Sequence, residues 1–361
     1  MIRRVGRVAF ALILVLSLFV IASCATTTAQ PGTKAFVADK DTLSLWTDDA
    51  PAKKELIEYL EAVTDPSNPD YIPLEKRIAV FDFDGTLFCE TDPNYFDFMM
   101  LVYHVLEDPL YKDKASDYEK EVAQMIVAQN ETGSLTSDVV VPHGKAVASS
   151  FKGFTLQQFN DYVLEFKTHP MPSYNGMNRG DGFYLPMIQV VDLLVNNGFI
   201  VYVFSGTDTL IVRGLFQNSA LSYLPNAQII GSDMSFVATN QGDTDGLEYT
   251  FQSDDQVLIG GEFLLKDLKM NKVSKIVRHV GEQPVLAFGN TSSDFAMAEY
   301  TVSNNKYRSL GFMLCCDDLE RENGNLSKAE KMVNDCAEHG WIAISMKNDW
   351  TTIYGDKVTK K

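Results

Sequence analysis

Ile78-Ala79-Val80-Phe81-Asp82-Phe83-Asp84-Gly85-Thr86-Leu87 is the stretch that decides the fold. Its four leading apolar residues read as a strand buried on both faces, of the kind found inside a parallel sheet. At the carboxyl end stand two aspartates one residue apart, followed by glycine and threonine. Side chains alternate across a strand, so Asp82 and Asp84 can serve one site. That site lies at the sheet edge where open α/β folds bind ligands. Two crowded carboxylates repel each other, and the pair needs a cation between them or a proton on one. Both arrangements suit phosphoryl transfer, with a metal-assisted carboxylate nucleophile beside a carboxylic acid. An acidic turn after a strand, where Asp-Gly is common, is the plainer alternative.

Three further segments continue the pattern. Residues 199–207 read as a second buried strand ending in Ser205-Gly206-Thr207, with Asp208 or Thr209 suited to cap the helix that follows. Ser205 and the amides after it can bind an anionic oxygen at a positive helix start. Residues 269–280 lead into a helix that turns Val273, Ile276, Val277 and Val280 inward. Residues 284–294 form another strand, ending in Gly289-Asn290-Thr291-Ser292-Ser293-Asp294.

Asp-Phe-Asp-Gly-Thr after an apolar strand resembles the first motif of the haloacid dehalogenase (HAD) superfamily, and the other three segments match its later motifs in kind and chain order. The resemblance implies that Asp82 attacks phosphorus and becomes an aspartyl-phosphate. Asp84 then protonates the leaving alcohol and activates the hydrolytic water. Dehalogenases generally lack the second aspartate and ion-pumping ATPases carry threonine there, so Asp84 points to a phosphatase. The third motif is a lysine at a helix start; Lys272 fits best, with Lys266, Lys269 and Lys275 as rivals. Thr86, Ser205, Gly206 and Lys272 are the implied phosphate-binding residues. The implied cofactor is Mg2+, bridged by Asp82, the Asp84 backbone carbonyl, Asn290 and, directly or through water, Asp294. This chain departs from the usual fourth motif by placing Asn290 where an aspartate is expected. An asparagine carbonyl can still ligate a hard cation, but one negative charge is lost.

The implied fold class is α/β: a three-layer Rossmann-like core with a parallel sheet and an inserted α-helical cap like that of phosphoserine phosphatases. Such a cap suggests a small phosphomonoester as substrate. Glu90 stands one residue short of the position where those enzymes carry a substrate-facing glutamate. The aromatics Tyr95, Phe96, Phe98 and Tyr103 suit either a choline-like cation or simple core packing.

The N-terminus reads as a targeting segment. Arg3, Arg4 and Arg7 precede an apolar run over residues 8–22, and Ile21-Ala22-Ser23-Cys24 closes it. That closing tetrad resembles the bacterial lipobox, which implies cleavage before Cys24 and lipid attachment to it. An ordinary signal peptide or uncleaved anchor is the alternative. The expected location is an exported, lipid-anchored place in a bacterial envelope, at the outer membrane or periplasmic face if the host is Gram-negative. The formal net charge is −17, which disfavours nucleic acid as a partner. Cys89, Cys315, Cys316 and Cys336 show no paired Cys-x-x-Cys spacing, so zinc is not expected.

The expected organisation is a signal peptide over 1–23, a lipid-attached tether over 24–50, the start of the core over 51–90, the helical cap over 91–180, and the rest of the core over 181–361. A hairpin extension is expected near 240–260, where Gly, Asp, Thr and Gln alternate with apolar residues. Within the insert, Thr155 and Gln158 resemble a capping box before Leu156, Phe159, Val163 and Phe166 at helical spacing. Asn290 leaves open a HAD-fold binding or scaffold lipoprotein without turnover, and a phosphotransferase with the same intermediate is a nearer alternative.

Overall fold

The computed structural model describes residues 34–132 and 136–361. Residues 1–23 and Cys24, where the sequence places the signal peptide and lipid attachment, lie outside the described residues, as does the first part of the tether. Among the described residues no helix is long and apolar enough to cross a membrane.

The strands are β1 (Ile78–Phe81), β2 (Tyr174–Asn175), β3 (Ile200–Asp208), β4 (Ile229–Ala238), β5 (Val257–Leu265), β6 (Leu286–Gly289), β7 (Leu310–Cys315), β8 (Ile342–Ser345) and β9 (Thr359–Lys360). The helices are α1 (Pro51–Thr64), α2 (Phe96–Val102), α3 (Asp117–Thr132), α4 (Val140–Ser150), α5 (Leu156–Phe166), α6 (Leu185–Asn196), α7 (Thr209–Phe216), α8 (Met270–His279), α9 (Phe295–Val302) and α10 (Leu326–His339). Seven strands form one sheet in the order β5-β4-β3-β1-β6-β7-β8. All neighbours in it are parallel except β4 and β5, which run antiparallel. The sheet is therefore mixed at one edge.

β1 occupies the centre because all four of its residues are apolar and can be buried on both faces. Ala79 and Phe81 point into one core, with Val201, Val203, Leu286 and Phe288. Val80 points into the other, with Phe204, Ala287, Met313 and the inner faces of α9 and α10. Helices thus cover both faces, giving three layers. Phe81, Phe288 and Phe312 stack across three adjacent strands, with ring centroids 4.3 and 4.8 Å apart. The chain winds from β1 to β3 and β4 on one side, then returns to β6, β7 and β8 on the other. The carboxyl end of β1 is therefore a topological switch point, where a crevice opens.

Helices α2 to α5 all fall between β1 and α6 and pack around the buried His104, continuous with the core that holds Ala79 and Phe81. The His104 ring stacks on Tyr111 and Phe151, at 4.0 and 4.1 Å between centroids. Thr155 caps α5 by accepting from the Gln158 amide, while the Gln158 side chain accepts from the Thr155 amide.

The hairpin differs from the sequence reading. Its strands are 229–238 and 257–265, and the stretch 239–256 is the turn-rich connection between them. The Gly, Asp, Thr and Asn residues there close successive turns, such as Gln241 N–H to the Ala238 carbonyl and Thr244 N–H to the Gln241 carbonyl. The apolar alternation lies just outside them.

Candidate active site

The turn after β1 is built on one carbonyl. The amides of Thr86, Leu87 and Phe88 all donate to the Phe83 carbonyl, while Gly85 N–H donates to Phe88. Gly85 has a φ of +77°, which favours glycine, and an added Cβ would come within 1.8 Å of the Asn290 amide nitrogen. The tight turn brings the β1 and β6 loops into contact. Asp82 N–H still donates to the Phe288 carbonyl, at 2.8 Å, so Asp82 sits at the last rung of the ladder. Asp82 and Asp84 are 6% and 7% exposed, which keeps the pair almost out of bulk water.

Lys272, in the first turn of α8, is wholly buried and bonds the Asp82 carboxylate and Asp294 Oδ1, the latter at 2.7 Å. The other Asp294 oxygen accepts the amides of Asn290 and Thr291, both at 3.0 Å. Asp294 is fully buried and both its oxygens are engaged, so it acts from behind the site, on Lys272 and on the Asn290 loop. Burial works against the Lys272 ammonium, but the Asp294 and Asp82 carboxylates outweigh it and raise its pKa above the ordinary lysine value. Asp82 is pushed up to about 7 by burial and by Asp294, with Lys272 opposing. Burial, Asp97 and Asp82 push Asp84 well above the carboxylate range, against the Thr207 hydroxyl.

Ser205 and Thr86 stand differently from their expected phosphate-binding role. The Ser205 hydroxyl is fully buried, donates to Asp84 Oδ2 at 3.3 Å and accepts the Thr207 amide at 3.0 Å. The Thr86 hydroxyl, equally buried, donates to Asp82 Oδ2 at 3.3 Å. Both hydroxyls orient the aspartates. The wall of the crevice at this strand end is made by Gly206 and Thr207, whose hydroxyl donates to Asp84 Oδ2 at 2.8 Å.

The crevice itself is a cavity of about 230 Å³, whose lining includes Asp82, Asp84, Glu90, Asp97, Lys266 and Asn290. Lys266 is the cation that lines it, with Nζ 5.9 Å from the centroid of Phe98. Lys275 instead bonds the Gly231 carbonyl and Asp233, and Lys269 precedes α8 with its amide on Ser293. Tyr95 and Phe98 line the cavity, whereas Phe96 and Tyr103 pack on Phe166. The four aromatics therefore do not converge on one cage. A second cavity of about 560 Å³ shares Glu90, Tyr95, Asn290 and Thr291 as its wall with the first.

Three buried oxygens around the first cavity have no hydrogen-bond donor: Asp84 Oδ1, Glu90 Oε2 and Asn290 Oδ1. Unpartnered buried acceptors are rare and costly. A hard divalent cation takes such mixed carboxylate and amide oxygens, so the donor set fits magnesium. Among the described residues no group of three or more His, Cys, Asp or Glu side chains is arranged as a metal cluster, so the set relies on neutral oxygens as well. Glu90 is pushed up to about 7 by burial, opposed by the Asn290 amide.

Two contributors escape the sequence reading. Asp97 sits in the first turn of α2 among aromatics, and its carboxylate lines the cavity above the buried His143, 3.8 Å away. Burial pushes the His143 imidazole down to about 4. Thr207 escapes because a strand-end threonine has many uses; only the position of Asp84 singles it out. The acidic Asp317-Asp318 pair is elsewhere, holding Ser345, Lys347 and Arg321. The four cysteines after residue 24 are unpaired.

No protein-family model matches the sequence, and no curated protein matches it. Solved structures are similar to it at low identity. A conserved protein of unknown function from Anaerococcus prevotii is 14% identical, with a TM-score of 0.48, covering 81% of this chain and 91% of its own. A cytosolic 5'-nucleotidase IIIB bound to cytidine is 12% identical, with a TM-score of 0.46, covering 87% and 93%. A phosphoserine phosphohydrolase-like protein from Francisella tularensis is 17% identical, with a TM-score of 0.37, covering 72% and 92%.

Proposed function

We propose that the chain is a magnesium-dependent phosphomonoester hydrolase of the HAD type. One observation carries the reading: two buried aspartates share a cavity with unpartnered oxygens, while a buried lysine bonded to Asp82 and Asp294 holds the nucleophile's charge. Lys272 opposes the burial that pushes Asp82 up to about 7, and so favours the anion that attacks. Asp84 is held neutral by the same burial, which suits a proton donor.

An Asp82 oxygen attacks phosphorus as the bond to the leaving alcohol oxygen breaks, and the Asp84 proton passes to that oxygen. Asp84, now a carboxylate, takes a proton from water as the water oxygen attacks the aspartyl-phosphate. The bond from phosphorus to Asp82 breaks, releasing inorganic phosphate and restoring both groups. Thr207 and Ser205 fix Asp84 during both transfers, and Thr86 fixes Asp82. Asp82, the Asp84 carbonyl and Asn290 are the residues that would hold magnesium. When bound, it neutralises charge on the phosphoryl oxygens. A cavity of about 230 Å³ lies below the usual range of ligand sites and favours a small ester.

The test is phosphate release by the soluble domain from a panel of small phosphomonoesters with magnesium. Asp82→Asn should abolish it, by at least about 10³-fold, since an amide forms no acyl phosphate. Turnover by that variant refutes the mechanism. A wild type inactive at every magnesium concentration favours the scaffold reading that Asn290 suggests.

The reading extends to the cell envelope. Cys24, after a basic and apolar leader, is the lipid attachment point, and the membrane is the partner it reaches. Cys24→Ser should move the protein to the soluble fraction or leave an unprocessed precursor. Unchanged mass and membrane retention would argue against it.

A further inference from the structure

We infer that Glu90 is a ligand of the divalent cation in this site, supplying the negative charge that Asn290 does not. The inference rests on the magnesium reading above and reassigns Glu90 from the substrate to the metal.

Glu90 and Asn290 converge on one point. A methyl group added at Gly85 would lie 2.6 Å from the Glu90 carboxyl carbon and 2.7 Å from the Asn290 side-chain carbonyl carbon. Both side chains therefore press on the backbone at Gly85, directly after Asp84. Both leave a buried oxygen without a donor, Glu90 Oε2 and Asn290 Oδ1, and Asp84 Oδ1 is a third in the same cavity. Asp84 is more than nine-tenths buried. Among the described residues no cation forms an ion pair with Glu90. A carboxylate in such a place is stable as an anion only if something outside the chain meets it.

The amide at 290 is the group compatible with that neighbour. The Asn290 side chain opposes the rise in the Glu90 pKa, while its oxygen has no donor. An aspartate at 290 would set two carboxylates against each other beside Asp82. Lys272 is already committed to Asp82 and Asp294, so it cannot relieve a further charge. The charge of the cation site has thus moved from the β6 loop to the β1 loop, where the glutamate supplies what the amide lacks.

The experiment is a metal-binding cycle that needs no turnover. Manganese, as a paramagnetic stand-in for magnesium, is titrated into wild type, Glu90→Gln, Asn290→Asp and the double variant, with free metal read by electron paramagnetic resonance. Glu90→Gln should weaken binding by about ten-fold or more, in the range seen when ligand-sphere residues are lost. Glu90→Gln with Asn290→Asp should recover most of that loss, because it returns the carboxylate to the other loop. Thermal melts confirm that each variant folds. Binding by Glu90→Gln within about two-fold of wild type overturns the inference. So does a double variant that binds no tighter than Glu90→Gln. A wild type that binds manganese but releases no phosphate refutes the hydrolase reading and leaves Glu90 standing. A wild type that binds no divalent cation refutes both.

Discussion

Glu90 and Glu322 are two sheltered glutamates handled in opposite ways. Glu322 is fully buried and accepts from the hydroxyls of Thr91, Tyr174 and Tyr354 and from the Asn323 amide. Those donors come from the loop after β1, from β2 and from the C-terminal tail, so one carboxylate ties three distant segments together. Glu90 is the residue before Thr91, and its Oε2 has no donor at all. Adjacent residues of one loop thus enter a saturated polar knot and a cavity of unmet acceptors. Saturation marks the group that holds the fold. The unmet acceptors mark the group that waits for something the chain does not contain.

Breaking each side should have separate consequences. Glu322→Gln keeps the shape but removes the charge that strengthens two phenol bonds and one threonine bond, and it places an amide hydrogen against donors. It should cost about 2–4 kcal/mol in urea unfolding, with turnover per folded molecule nearly unchanged. Asp84→Asn should do the reverse. Turnover should fall by about 10²–10⁴-fold with the lost proton transfer. Stability should hold or rise, because an amide has no charge to lose where burial, Asp97 and Asp82 disfavour the carboxylate. If Glu322→Gln is neutral to unfolding, or Asp84→Asn unfolds easily, the contrast between the two regions fails.

The same contrast explains what could be read from the sequence. The strand 78–81 with its two aspartates, the lysine at the start of α8 and the polar end of β6 are local signals. Short-range patterning marks a strand end or helix start, and a parallel sheet then gathers those ends at one edge. The structure does bring Asp82, Asp84, Lys272, Asn290 and Asp294 together. Orientation is another matter. Whether Ser205 and Thr86 face a cavity or brace an aspartate depends on a few ångströms of tertiary packing. Asp97 depends on how α2 leans over the sheet, and Glu322 meets Thr91 across 231 positions. The hairpin was legible as an antiparallel pair, but its strands at 229–238 and 257–265 lie outside the turn-rich stretch that signalled it.

The smallest expected effect is also the one that reads the unmet acceptors without any chemistry. Burial pushes Asp82 and Glu90 up to about 7, from ordinary values of 3.8 and 4.5. In the unfolded chain both ionise near those ordinary values. Between about pH 4.5 and 7 the folded protein therefore holds protons that the unfolded chain has lost. The stability that these groups contribute is complete below pH 4 and disappears as pH rises through about 7. Metal-free protein should melt lower at pH 8 than at pH 5, the sign following from the raised carboxyl pKa values of the folded state. Asp208 and Asp267, also pushed up to about 7 by burial, add to the same slope. Magnesium separates the contributions. Magnesium fixed at 100 times its pH 8 dissociation constant adds about 2.7 kcal/mol to the folded state there. That gain should be large at pH 8, where the ligands are anions, and small at pH 5, where protons compete. Melting curves at both pH values, with and without magnesium, read the difference directly. Glu90→Gln should flatten part of the metal-free slope and shrink the magnesium gain. Glu322→Gln should lower every curve and leave both slope and gain intact. A magnesium gain equal at the two pH values would mean that the cation and the protons do not compete for the same oxygens.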